Sequence, residues 1–138
     1  MSFHDLPDDW PQRPLTDPQL VADVLDLCVS DEARQRGSLA ILLCDDQARL
    51  IQPCVVSDIQ QISDEADRLQ ACRTFVMAAE KVGAGLLFAI GRRRGLSVTA
   101  DDEAWARAAR QTCAGRVDLL GFHLITHEGS RPVPLGEQ

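Results

Sequence analysis

At 138 residues and 45% hydrophobic composition, with two Trp, four Phe and no Tyr, the chain suits one domain with an aliphatic core. A net charge of −7 disfavours nucleic acid and anionic membranes as bulk partners, and no apolar run approaches the roughly 18 residues of a membrane span. The opening MSFHDLPDDW has no Lys, no Arg and no apolar run, so no signal peptide is expected.

Residues 1–16 hold Pro7, Pro11 and Pro14 among Asp5, Asp8 and Asp9 and predict an extended acidic arm outside the core. Trp10 is expected to pin that arm to the body. Residues 17–135 form the single domain, and residues 136–138 a tail. Asp17 caps a first helix with Pro18 at its first position. Leu20, Val21, Val24, Leu25 and Cys28 form its inward stripe. The helix is expected to fade through SDEARQRG and end at Gly37.

SLAILLC (Ser38–Cys44) is apolar enough for a strand covered on both faces. Asp45 and Asp46 suit a turn, since Asp hydrogen-bonds its own turn backbone; metal ligation is the competing reading. Residues 49–56 return as a second strand, and Pro53 places it at an edge or a bulge. A second helix spans 63–81, capped by Ser63, with Leu69, Cys72, Phe75, Val76 and Ala79 facing inward. Residues 86–90 form a central strand. The basic loop 91–98 leads to Thr99, the N-cap of a third helix whose first turn holds Asp101, Asp102 and Glu103. Trp105, Ala108, Ala109, Thr112 and Cys113 form its inward stripe. Strands at 119–126 and 131–135 follow a Glu128-Gly129-Ser130 turn, with Pro132 and Pro134 pushing the last to an edge. The expected order is αββαβαββ, an α/β (α+β) fold with a mixed sheet flanked by helices.

Cys28, Cys44, Cys54, Cys72 and Cys113 are widely spaced and include no C-x-x-C pair. They suit reduced thiols of a cytoplasmic protein better than a metal site or a disulfide framework. His123 and His127 lie four apart in what looks like a strand, about 13 Å at strand rise and too far to share an ion. His123 suits a buried histidine and His127 a solvated one. Neither Ser57, Ser97 nor any Cys sits in a nucleophile motif. Arg92, Arg93 and Arg94 are the densest basic patch, just ahead of a helix N-terminus. They are candidates for an anion, carboxylate or phosphate. The competing reading is a solvated loop balancing Asp101, Asp102 and Glu103.

From Ser38 on, this order resembles the JAB/MPN fold, most of all its RadC-like branch. That family's pattern runs H-N-H-P-S-G, then four residues, then S-x-x-D. Laid on this sequence without a gap, Thr99-Ala100-Asp101-Asp102 takes the place of S-x-x-D, and Ala89-Ile90-Gly91 the place of His-Asn-His. LLGFHLI resembles the family's L-L-D-H-x-I strand, with His123 at its His. Members with the full motif are zinc-dependent isopeptidases. Here both His ligands are replaced, and a catalytic zinc needs three protein ligands beside an open position. Histidines placed at Ala89 and Gly91 would restore the ligand pattern if Asp102 points inward.

The resemblance therefore implies a non-catalytic JAB/MPN-like domain with no cofactor and no metal. It would act through a macromolecular contact, with a homodimer or another protein as partner. The alternatives are a metal-dependent hydrolase with ligands among Asp45, Asp46, Asp102, His123 and Glu128, and an anion or nucleic-acid binder through Arg92, Arg93 and Arg94.

Overall fold

The computed structural model describes residues 6–134. A five-stranded mixed sheet in the order β2-β1-β3-β4-β5 runs through the molecule. Its strands are β1 (Ser38–Cys44), β2 (Leu50–Ser57), β3 (Gly85–Gly91), β4 (Leu119–Thr126) and β5 (Gly129–Pro132). The helices are α1 (Pro18–Cys28), α2 (Asp31–Arg36), α3 (Glu65–Val82) and α4 (Ala100–Cys113). Only β3 and β4 are parallel; the other neighbours pair antiparallel. The fold is α/β, as expected. Among the described residues no helix is long and apolar enough to cross a membrane.

Alternation along the strands splits the core into two layers. Leu39, Ile41, Leu86, Phe88, Ile90, Phe122 and Leu124 pack against α3 and α4. Ala40, Leu42, Cys44, Leu87, Ala89 and Ile125 pack against α1. β1 and β3 therefore need apolar side chains on both faces, which explains their unbroken apolar runs. Pro53 lies in β2 and Pro132 in β5, the two outer strands, where a missing N–H is tolerated.

Four local expectations are corrected. The polar run after Cys28 is not a fading end of α1. Val29 turns extended and buries its side chain, and Ser30 opens a separate helix by accepting from Ala33 N at 3.1 Å. The order is thus ααββαβαββ. The N-cap of α3 is Asp64 rather than Ser63; its carboxylate accepts from Ala66 N, and the helix ends at Gly83 with φ of 67°. The last strand begins at Gly129, so the turn is tighter than expected. The N-terminal segment is not wholly outside the core. Leu15 is buried, its N–H donates to Ala48 O at 2.8 Å, and Leu6 and Trp10 pack on the α1 layer. Residues 1–5 and 135–138, which include part of the arm and the tail, lie outside the described residues.

Candidate functional site

The carboxyl ends of β3 and β4 form the place where parallel strands usually present ligand sites. The chain leaves β3 at Gly91 and crosses this end before α4 begins. Backbone bonds hold the crossing down: Arg92 N donates to Ile125 O at 3.1 Å, and His127 N to Arg93 O at 3.2 Å. Side chains add to them. Gly95 N donates to Glu128 Oε1 at 2.7 Å, and Arg131 Nη1 to Leu96 O at 3.0 Å. A cleft of about 320 Å³ opens beside the loop, lined by Arg34, Ile59, Ile90, Gly91, Arg92 and Thr99 among others.

The three arginines do not act as a unit. Arg92 turns back into the protein. Its Nη1 donates to both oxygens of Asp102, at 2.7 and 2.6 Å. Its Nη2 donates to Ser97 O at 2.6 Å and Gly95 O at 3.4 Å, and its Nε to Arg94 O at 3.3 Å. Arg92 is therefore withdrawn from the anion-binding set, because every nitrogen of its guanidinium already serves the loop. Arg93 and Arg94 stay exposed, with no side-chain ion pair among the described residues.

Asp102 is equally committed. Thr99 Oγ1 accepts from Asp102 N at 3.1 Å, and Asp102 Oδ2 accepts from Thr99 N at 3.0 Å. This reciprocal box closes the first turn of α4. The carboxylate side chain is 4% exposed, and Arg92 offsets its charge. Asp101 finds a different partner, Arg68 Nη2 at 3.2 Å on α3.

Of the other residues singled out in the sequence, Ala89 and His123 lie on the other face of the sheet. Ala89 is fully buried in the α1 layer. His123 sits opposite Ala89 in the β3–β4 register, so its ring shares that face. It is half-buried and makes no side-chain hydrogen bond among the described residues, and burial holds its pKa below the usual imidazole value. A Cβ at Gly91 would stand 2.7 Å from Ser38 Oγ and 2.9 Å from Val29 Cγ1. Asp102, by contrast, opens the helix that covers the opposite layer. Ala89 and His123 therefore do not converge on Asp102, and although Gly91 and Asp102 line one cleft, a side chain at Gly91 would run into Ser38 and Val29.

The other candidate ligands are dispersed. Asp45 Oδ1 accepts from Gln47 N and Arg49 N, both at 2.9 Å, and Oδ2 from Arg49 Nε at 2.9 Å. The bond from Arg49 N is the largest reason its carboxyl titrates below the usual range. Asp45 and Asp46 stand at the far end of β3 from Asp102, roughly 20 Å away at strand rise. They line a broader cleft of about 820 Å³ with Glu80, Arg116 and Asp118. Glu128 is bonded to Gly95, and His127 Nδ1 stands 3.6 Å from Asp31. Among the described residues no three His, Cys, Asp or Glu side chains group as a metal site. Cys44, Cys72 and Cys113 are buried, while Cys28 and Cys54 are half-buried. Burial pushes the Cys72 thiol up to about 12, and Cys44 and Cys113 up to about 11.

One polar group escaped sequence reasoning. Arg34 is 5% exposed, although α2 is short and polar. Its Nη2 donates to Asp26 Oδ1 at 2.8 Å and its Nη1 to Thr126 O at 3.5 Å, tying α2 to α1 and to the end of β4. No spacing marks this pair, since its reach depends on the angle between α1 and α2. Set beside known proteins, the chain matches no family model and no curated protein.

Proposed function

We propose that this chain is a non-catalytic α/β domain, JAB/MPN-like in its element order, that acts through contact with another macromolecule. The observation that carries the reading is the closure of Asp102. It is the one carboxylate at a family ligand position, and its oxygens are taken by Arg92 Nη1 and Thr99 N. A carboxylate shared between a helix cap and a guanidinium has poor lone-pair access for zinc, and two further protein ligands would still be needed. Calorimetric titration with zinc tests this. The reading expects no saturable site at one ion per chain. Saturation at one ion, abolished by Asp102→Ala, overturns it and favours the hydrolase.

A second reading rests on Arg93 and Arg94, which stay exposed ahead of α4. An anionic partner held there would dissociate steeply with salt. Binding lost in Arg93→Ala/Arg94→Ala, with Arg92 left in place, would favour it.

A further inference from the structure

The outer edge of β2 is open: among the described residues no strand lies beyond it. Its backbone polarity follows from the ladder. Leu86 N donates to Asp118 O and Arg92 N to Ile125 O, so the even-numbered residues of β3 turn toward β4. The odd-numbered residues of β3 turn toward β1, opposite Ser38, Ala40, Leu42 and Cys44. Leu39, Ile41 and Leu43 then turn toward β2, where Val56, Cys54 and Gln52 meet them. Pro53, Val55 and Ser57 are left with their backbone groups pointing outward. The missing N–H of Pro53 falls on the open edge and takes nothing from the β1–β2 ladder.

The side chains of this strand are uncharged, and several are apolar and exposed. LIQPCVVS carries no charge in a chain of net −7. Ile51, Val55 and Val56 are 54%, 38% and 37% exposed, on a strand that the helices leave largely uncovered. An uncharged edge strand with exposed apolar side chains is a pairing surface unless something covers it.

We infer that β2 pairs with β2 of a second copy, antiparallel about a twofold axis at Cys54, joining two sheets into one. This names the partner for the contact function proposed above and rests on that reading. Three observations choose a second copy. First, an uncharged strip is where two acidic chains meet with least repulsion. Second, Arg49 precedes the strand and Asp58 follows it. Antiparallel pairing brings each end to its opposite, and with the intrachain partners Asp45 and Arg36 the signs alternate across the seam. Third, the edge can pair with itself without setting proline against proline. With the axis at Cys54, each Val55 N–H meets the Pro53 carbonyl of the other copy; with the axis at Pro53, two residues lacking N–H would face each other. The chosen register also sets Cys54 against Cys54 in a non-hydrogen-bonded pair, about 4.5 Å between Cα atoms and within disulfide reach.

Sedimentation equilibrium of the full chain at about 100 µM, with diamide crosslinking, tests the seam. Diamide takes two electrons and two protons as two thiols become a disulfide. The expected mass is twice 15.1 kDa, with a crosslinked dimer in the native chain and none in Cys54→Ser. Val55→Pro removes one outward N–H, and Val55→Lys keeps the backbone but sets like charges across the seam. Each should weaken association at least about tenfold with an unchanged circular dichroism spectrum, and Val55→Lys keeps the test valid if proline misfolds. A monomer at that concentration overturns the proposal. So does a dimer that survives both variants without a Cys54 crosslink. Bound zinc, read separately, would overturn the functional reading without dissolving such a dimer.

Discussion

Arg92 donates from a single nitrogen to both oxygens of Asp102, at 2.7 and 2.6 Å, across a loop whose own carbonyls occupy the rest of the guanidinium. The pair fixes the path from β3 into α4. With Asp102 4% exposed, removing Arg92 strands a buried carboxylate. Arg92→Ala and Asp102→Ala should each lower stability by about 3 kcal/mol. The double variant should lose less than the sum, because the partners share one interaction. Urea midpoints at constant slope check this; a loss under about 0.5 kcal/mol for Arg92→Ala would place the pair among ordinary surface contacts.

Gly91 gives a test of the strand's close approach. An added Cβ meets Ser38 Oγ at 2.7 Å and Val29 Cγ1 at 2.9 Å, both in packed surroundings. Gly91→Ala should cost about 2 kcal/mol. Gly91→His should prevent folding, so the double change Ala89→His and Gly91→His creates no metal site. A folded double variant that binds zinc would contradict this placement.

The path of the chain was legible where one rule decides it. SLAILLC and GLLFAIG are apolar throughout because β1 and β3 are covered on both sides. Thr99 and Asp102 carry the spacing of a capping box, and the box forms. Pro53 and Pro132 mark the two edges. What could not be read depends on side-chain reach between elements. Three adjacent arginines look alike in sequence, and only the loop's path sends Arg92 inward while Arg93 and Arg94 face out. Arg34 and α2 were hidden for the same reason: a polar hexapeptide shows no stripe, and its burial comes from Asp26 and Thr126 on other elements.

His123 should make stability depend on mild acid. Burial depresses its folded pKa below 6.5, its ordinary value. The unfolded chain then takes up the proton first, so its contribution is present above that value and lost as pH falls through the folded pKa. His123→Gln should flatten the stability profile in that window. Asp45 and Asp58, whose carboxyls titrate below their ordinary 3.8, act only at lower pH. An unchanged slope in His123→Gln would show that the ring is solvated.

The buried thiols act at the alkaline end. Cys72 is raised to about 12 and Cys44 and Cys113 to about 11, from an ordinary 9.0. Unfolded thiols lose their protons first. Stability should therefore fall as pH climbs above 9.0 and level off as the folded pKa values are passed. In the folded chain a thiol reagent at neutral pH should label Cys54 and Cys28 ahead of these three. Equal labelling of all five would contradict the packing of α3 against α4.

The proposed function gives Asp102 a structural role, shared between the α4 cap and Arg92, and no metal. Elemental analysis of the chain, purified without chelator, addresses it most directly. Zinc far below one ion per chain, unchanged in Asp102→Asn, is the expected result. One zinc per chain, lost in that variant, would contradict it.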